Sequence, residues 1–497
     1  MDDVLQFLLP FILVLIGILT LQYYKQRWPV SNFPPGPTGV PIIGTLLSIT
    51  SDKHLHRTAS KLSQRYGNVY SLMLDTPVVI VNGFDAINEV LQSNKGLDFA
   101  SRREPRYMIQ LFNPKKLGLF SADFSATWQH QKRFALSALR GFGFRKSGFE
   151  GIFTERVQAL LKNLKDLAEA PQDLSALLTG TVASCMSNTI LGCQYDDDEE
   201  FQLFIRRVLK GSLKLGKIQM LLYNFVPFSR PFLKRTAQDL KDDWVLLSSF
   251  LTSRIAEHQT TFRSEEEPRD FVDCYLAKMA EEPDIFNLEE LTFVLLDLLF
   301  GSTDTTSNTL RFALLYMVIN TDVQEHVHQE LMEVVGTSRL PCMEDRDKTP
   351  YTVATLLEIL RLSSVASTFP RCATTDTTLA GYSIPKGTNV LINIMGLSHD
   401  PELWPDPERF HPTRHLNDKG EVVKSPYLLH FGAGRRVCMG ESLAKMELFL
   451  CFSSMMHQFK FELPPDAETP SLEPVPAFNL APVPYQVILK AYDHSLI

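Results

Sequence analysis

The strongest constraint on this chain is a decapeptide near its C-terminus, Phe431-Gly432-Ala433-Gly434-Arg435-Arg436-Val437-Cys438-Met439-Gly440. Its glycines permit tight backbone turns, and Gly440 leaves room for backbone to approach a flat ligand. Helical sequence follows at once, from Glu441 to His457. A thiol beside two arginines and at a helix start is expected to ionise more readily than a free one. A single cysteine is most often a small, inert core residue. Here Phe431, Gly434, Arg436, Cys438 and Gly440 satisfy every fixed position of the spacing Phe-x-x-Gly-x-Arg-x-Cys-x-Gly, so the loop reads as a binding site.

The other cysteines, at 185, 193, 274, 342, 372 and 451, form no C-x-x-C pair. With Cys438 they make seven, an odd, sparse set that is neither a disulfide framework nor a zinc site and fits a reducing compartment. A net charge of -8 argues against non-specific nucleic-acid binding.

The N-terminal segment departs from this ordinary composition. Val4 to Tyr24 carries no charge and is rich in Leu, Ile, Val and Phe. About twenty apolar residues span a bilayer as a helix. Asp2 and Asp3 precede the segment and Lys25 and Arg27 follow it, the reverse of a cleaved secretory signal. Positive charge is retained on the cytoplasmic side. Residues 1–27 are therefore predicted to be an uncleaved anchor, with the N-terminus lumenal and the body cytosolic. Prolines from Pro29 to Pro41 predict a stiff connector over 28–41. Residues 42–497 read as one large domain, mainly α with minor β-sheets. Tyr70–Leu74 and Val78–Val81, around Asp75-Thr76-Pro77, predict a hairpin.

One helix stands out. Asn287 and Glu290 carry the signature of a helix start. Apolar runs from Leu291 to Phe300 and from Leu310 to Ile319 predict a rod of about 50 Å through the middle of the domain. Gly301-Ser302-Thr303-Asp304-Thr305-Thr306 interrupts them. Buried polar groups need partners, so this patch is either a kink or a functional site. Glu358 and Arg361 share a helix face among apolar neighbours and predict a buried pair that needs further partners.

Taken in order, these segments resemble the cytochrome P-450 family over essentially the whole chain, and the anchor and connector look like its animal microsomal members. The resemblance implies the P-450 fold with an N-terminal transmembrane helix and haem b as cofactor. Cys438 is then the metal ligand, the axial thiolate that favours O–O cleavage. Trp128-Gln129-His130-Gln131-Lys132-Arg133 resembles a propionate-binding Trp-x-x-x-Arg, with Lys132 in the arginine's place and Arg133 as its substitute. Arg371 and Arg436 are the remaining propionate partners. Glu358 and Arg361 match an E-x-x-R pair. Arg409, in Pro407-Glu408-Arg409-Phe410, is the expected third member, serving folding and haem retention. The interrupting patch matches Ala/Gly-Gly-x-Asp/Glu-Thr-Thr, except that Ser302 stands where glycine is usual. By resemblance Thr305 hydrogen-bonds bound dioxygen and Asp304 helps to deliver protons.

By family position the substrate pocket is lined near Ala100–Phe124, by Leu296, Phe300 and Gly301, from Val365 to Phe369, and from Phe478 to Leu480. Such an apolar wall suits a steroid, a fatty acid or a xenobiotic. No dinucleotide or P-loop pattern appears, so electrons must come from outside. The implied partners are an NADPH-cytochrome P-450 reductase, cytochrome b5, O2, a small apolar substrate and lipid of the endoplasmic reticulum membrane. Lys132, Arg133, Arg140, Arg145 and Lys146, with Arg435 and Lys445, predict a basic reductase-docking face. Two other readings stand beside this one, a haem-thiolate isomerase or dehydratase acting on peroxides and a non-catalytic haem sensor. The Asp304-Thr305 pair counts against both.

Overall fold

The computed structural model describes residues 2–27, 30–40, 43–49, 52, 54–74, 76–102, 112–141, 148–192, 198–226 and 229–492. The elements that build the site, in chain order, begin with α1 (Asp2–Arg27), α2 (Leu55–Tyr66), β1 (Val69–Met73), β2 (Pro77–Val81), α3 (Ala126–Leu139) and α4 (Ser175–Leu191). Next come α5 (Glu199–Leu215), α6 (Ile218–Phe225), α7 (Arg230–Thr261), α8 (Leu288–Ile319) and α9 (Pro350–Ser363). Strands β3 (Thr368–Cys372) and β4 (Asn389–Asn393), helix α10 (Glu441–Gln458), and strands β5 (Phe459–Glu462) and β6 (Ile488–Ala491) complete the set.

Helix α8 is the axis. The Asn287 side chain caps it by accepting from the Glu290 amide at 2.9 Å. Its 32 residues give a length of about 48 Å. A helix apolar on all sides belongs in a core, and α4, α5, α7, α9 and α10 all pack on this one. The helix runs unbroken through Gly301–Thr306, so the patch is not a break. Its hydroxyls return to the helix itself: Ser302 Oγ donates to the Leu298 carbonyl and Thr305 Oγ1 to the Gly301 carbonyl, both at 2.7 Å.

The hairpin forms as β1 and β2, antiparallel, with Tyr70 opposite Ile80. Strand β4 adds parallel to β2 and β3 antiparallel to β4, giving the order β1-β2-β4-β3. Val79, Val81, Val390 and Ile392 bury one face of this sheet in a second core. Strands β5 and β6 form a separate pair.

The connector is more than a spacer. Phe33 is buried, the Pro35 carbonyl accepts from the Ser71 amide at 2.7 Å, and the Pro34 carbonyl accepts from Ser71 Oγ at 2.7 Å. Proline cannot donate, but its carbonyl still accepts. A side chain at Gly36 would come within 1.9 Å of the Ser71 carbonyl oxygen. The chain is thus stitched to β1 before the predicted domain boundary.

The predicted membrane span, Val4–Tyr24, coincides with α1, but its side chains are described only from Leu9 to Leu21. Phe11, Val14 and Leu21 among them are exposed. Among the described residues no helix is long and apolar enough to cross a membrane.

Candidate active site

A cavity of about 1390 Å³ is walled by α8 and by the cysteine loop. The loop closes through the Cys438 amide, which donates to the Phe431 carbonyl at 2.9 Å. Gly434 has φ +69°, and a Cβ there would lie 1.9 Å from the Leu91 carbonyl oxygen, so glycine is required. Around Gly440 no protein atom lies within 4 Å of a Cβ position; the residue borders the cavity instead. Cys438 is exposed, and it borders the cavity. Burial pushes the Cys438 thiol up, against the pull of the Gly440 amide and of Lys132 and Arg102. The adjacent arginines point elsewhere: Arg435 is exposed, and Arg436 is spent on backbone carbonyls.

Cations gather on the same cavity. Trp128 is buried and its indole donates to the Leu119 carbonyl at 3.0 Å. The Arg436 guanidinium lies over its ring, 3.7 Å from the centroid, and donates to the carbonyls of Ala100, Leu119 and Ala122. Lys132 donates to the Arg435 carbonyl at 2.6 Å. Burial, then the charges of Arg436 and Arg371, push Lys132 down to about 8. Arg371 is 3% exposed and donates to the Pro370 carbonyl. Burial, with Arg102 and Arg436 nearby, works against its charge. Among the described residues no carboxylate forms an ion pair with Lys132, Arg371 or Arg436. Buried cations without counter-charge are costly, so the arrangement fits a ligand that brings two carboxylates.

Arg133, predicted as the substitute for Lys132, is exposed and does not line the cavity. One residue along a helix turns the side chain by about 100°, and Lys132 holds the inward position. Arg102 falls within the predicted Ala100–Phe124 stretch but is not singled out there as a cation; it lies 4.0 Å from the Phe120 ring centroid. His430 lines the cavity with both ring nitrogens lacking partners among the described residues, and burial holds it neutral, pushed down to about 3.

The α8 patch divides between two faces. Gly301, Ser302 and Thr305 line the cavity; Asp304 does not. Asp304 is 1% exposed. Its Oδ2 accepts from Ser212 Oγ and Asn479 Nδ2, both at 2.8 Å, and its Oδ1 from Asn308 Nδ2 at 3.1 Å. Burial raises its pKa despite these bonds. The predicted acid–alcohol pair is thus adjacent in sequence but points two ways, and Ser212 and Asn479 join the site unannounced. Leu296, Phe300, Val365, Phe369 and Phe478 line the remaining wall. The Phe478 ring sits edge-on to Phe300 at 5.7 Å and to Phe120 at 5.8 Å. Residues 103–111 of the predicted pocket stretch lie outside the described residues.

The family model for cytochrome P450 matches residues 34–489 of this chain. The chain belongs to the cytochrome P450 family. This P450 is 33% identical to cytochrome P450 2U1 of Homo sapiens over 513 residues, covering 96% of this chain and 93% of that protein. It is 34% identical to cytochrome P450 2D16 of Cavia porcellus over 486 residues, covering 95% and 96%. It is likewise 34% identical to cytochrome P450 2J3 of Rattus norvegicus over 472 residues, covering 94% and 92%. It is therefore a haem-containing P450 monooxygenase. The unpaired cations around Cys438 fit that cofactor.

Away from the cavity this P450 builds a second charged cluster. Arg361 donates from Nε and Nη2 to both oxygens of Glu358 at 2.8 Å, and both residues are fully buried. Arg414 and His415 complete the shell at 3.0 and 2.9 Å. Arg361 also reaches the carbonyls of Ser398 and Pro407. Burial raises Glu358, but the bonds from Arg361 and His415 outweigh it and hold the carboxyl at about 2. The predicted third member, Arg409, is exposed, and its part in the cluster is its backbone carbonyl, which accepts from Arg414 at 3.2 Å. A 3-10 turn over Pro412–His415 packs on α9 and delivers Arg414 and His415 instead.

Proposed function

We propose that this P450 is a microsomal monooxygenase that inserts one oxygen atom into a small apolar substrate, such as a steroid, a fatty acid or a xenobiotic. Electrons come from an NADPH-cytochrome P-450 reductase, with cytochrome b5 as a second donor. The reaction balances as substrate C–H plus O2, two electrons and two protons, giving C–OH and water. The observation that carries this reading is one cavity with Cys438 and unpaired cations in its wall, Thr305 in the same wall and aromatic rings around it.

In this reading Cys438 holds the haem iron, with Phe431 and Gly440 shaping the loop. Lys132, Arg371 and Arg436 take the propionates, helped by Arg102 and by Trp128. The haem supplies O2 activation when bound. Thr305 presents its hydroxyl to the cavity, and a turn about χ1 re-aims its proton from the Gly301 carbonyl to the reacting oxygen. Asp304 serves that step only by leaving the Ser212–Asn479 bonds. Phe300, Phe369 and Phe478 exclude water. Residues 1–27 anchor the protein in the endoplasmic reticulum with the body cytosolic. The exposed apolar side chains of α1 support this, as does Phe232, 86% exposed at the start of α7.

The test is reconstitution of the full chain with reductase and NADPH against lipid, steroid and xenobiotic panels. Product formation that needs both, with low-spin to high-spin shifts on binding, is expected. Haem binding without reductase-dependent product from any panel sinks the reading.

A further inference from the structure

Buried imidazoles in this fold spend their nitrogens on the protein. His258 is bonded at both, to the Arg254 carbonyl and to Asp270, each at 2.8 Å. His415 Nε2 lies 2.9 Å from Glu358, and His457 Nε2 lies 2.8 Å from the Gly336 carbonyl. His430 departs from this. Both its ring nitrogens are buried, and neither has a hydrogen-bond partner among the described residues. A buried donor and acceptor left unmet cost free energy that an apolar side chain would not, so the imidazole calls for a partner from outside the chain.

Its surroundings keep the ring neutral. The Phe431 ring centroid lies 4.6 Å away, and Lys445 stands over that same ring, 5.3 Å from its centroid. Burial, then the charges of Lys445 and His415, push His430 down to about 3. A neutral imidazole carries one N–H and one free lone pair, which is the form in which histidine ligates metals.

Position supplies the second half of the argument. His430 and Cys438 border one cavity. The Cys438 amide donates to the Phe431 carbonyl at 2.9 Å, so the loop folds the cysteine back beside the residue that follows His430. The wall's other imidazoles, His54 and His56, lie at the start of α2 with ring centroids 5.2 Å apart, and His54 reaches Glu473 at 3.3 Å.

We propose that His430 is a reserve ligand for the cofactor iron, which it takes when the Cys438 sulfur is withdrawn. The inference rests on the reading of Cys438 as the haem ligand. In the exchange the iron–sulfur bond breaks with its electron pair on sulfur, which takes a proton from solvent. A ring nitrogen of His430 forms the iron–nitrogen bond with its lone pair, the other nitrogen keeps its proton, and the iron is neither oxidised nor reduced. The exchange keeps the haem in the protein in a form without the thiolate.

The experiment is resonance Raman spectroscopy of the reduced, carbonyl-free holoenzyme, full chain, with isotopically labelled histidine nitrogens. Cys438→Ala should retain haem and show an iron–imidazole stretch that shifts with the label. Adding His430→Leu should remove that stretch, whereas adding His56→Leu should not. A Cys438→Ala protein without haem or without the stretch overturns the proposal. So does a stretch that survives His430→Leu, because another histidine is then the ligand. A second measurement leaves Cys438 in place and follows haem transfer to apomyoglobin in mild denaturant. His430→Leu should start with the red-shifted band of the reduced carbonyl complex, which shows that it folds, and should then release haem several-fold faster than wild type. Equal release rates overturn the reserve role. Wild type without the red-shifted band sinks the Cys438 reading itself; with that band present, the stretch and the release rate decide His430 alone.

Discussion

Two clusters of buried charge stand in this molecule, and they are built on opposite principles. Around Glu358 every charge is met from within the protein: Arg361, Arg414 and His415 share one carboxylate, and the spare guanidinium hydrogens go to carbonyls. Around Cys438, Lys132, Arg371 and Arg436 line the cavity together, and among the described residues they donate to backbone carbonyls alone. A closed network stabilises a fold only while it stays complete, because removing one partner strands the other. An open cluster costs the fold something and is complete only with its ligand. The contrast therefore sets a self-contained network apart from a cluster that the proposed haem contacts would complete, without reference to any motif.

The largest expected effects test that separation directly. Cys438→Ala should abolish the red-shifted Soret band of the reduced carbonyl complex, while Cys185→Ala and Cys451→Ala retain it. A normal band in the Cys438 variant would falsify the ligand assignment. Glu358→Ala should leave Arg361 buried without counter-charge and cost roughly 3–5 kcal/mol, read as loss of soluble protein even before haem is added. The sign reverses in the open cluster. Arg371→Met should leave the apoprotein as stable as wild type or up to ~2 kcal/mol more so, yet weaken haem retention. A destabilised apoprotein would mean that Arg371 belongs with the closed network.

The closed network also has a pH signature. Glu358 is held at about 2 in the fold, against an ordinary value of 4.5. A carboxyl with a depressed folded pKa contributes stability above its unfolded pKa and loses it as pH falls toward the folded one. Between about pH 4.5 and pH 2 the wild type should therefore lose stability that Glu358→Gln never had. Acid unfolding followed by near-ultraviolet dichroism compares the two limbs. Parallel limbs would place the acid sensitivity elsewhere.

Local features were legible in the sequence; rotations and long-range partners were not. The Cys438 loop announces itself because its glycines and spacing lie within ten residues, and the Asn287 cap is equally local. The hairpin followed from two β-rich runs about a proline. Which face of α8 meets the cavity is set by packing against the helices around it, so Asp304 and Thr305 could not be told apart. For the same reason Lys132 rather than Arg133 faces inward. Arg414 displaced Arg409 because a 3-10 turn, not a motif, brings it to Glu358. Arg102 and His430 sit in irregular backbone with no periodicity to mark them.

Splitting Asp304 from Thr305 gives an effect of intermediate size. Thr305→Ala should keep haem but consume NADPH with much less product, the escaping electrons appearing as peroxide or water. Asp304→Ala should differ in kind. It releases Ser212 of α5 and Asn479 beside Phe478, so substrate affinity should weaken along with coupling. Asn479→Leu should reproduce the affinity loss alone. If Asp304→Ala changes coupling and leaves affinity untouched, the placement of Asn479 and Phe478 at the cavity does not depend on the Asp304 bonds.

The smallest effect concerns exposed charge, where solvent screens what burial amplifies. Arg133, Arg140 and Arg435 are exposed; Arg145 and Lys146 lie outside the described residues. Lys445 is partly neutralised by Glu441 at 2.5 Å. Surface ion pairs are worth little, so Lys445 contributes less to a long-range field than its position suggests. An acidic flavoprotein surface would be steered mainly by the arginines, and steering acts on encounter more than on affinity. Arg140→Glu should slow the first electron transfer several-fold at low salt, with the difference fading as ionic strength shortens the Debye length to about 8 Å. Lys445→Glu alone should do less, because it also places a second carboxylate beside Glu441. Peroxide-driven turnover, which needs no reductase, should be the same in both variants and the wild type. Stopped-flow reduction across a salt series measures all three. If Lys445→Glu proves the stronger variant, docking is centred on the cysteine loop rather than on α3, and the Glu441 pair opens when the reductase binds.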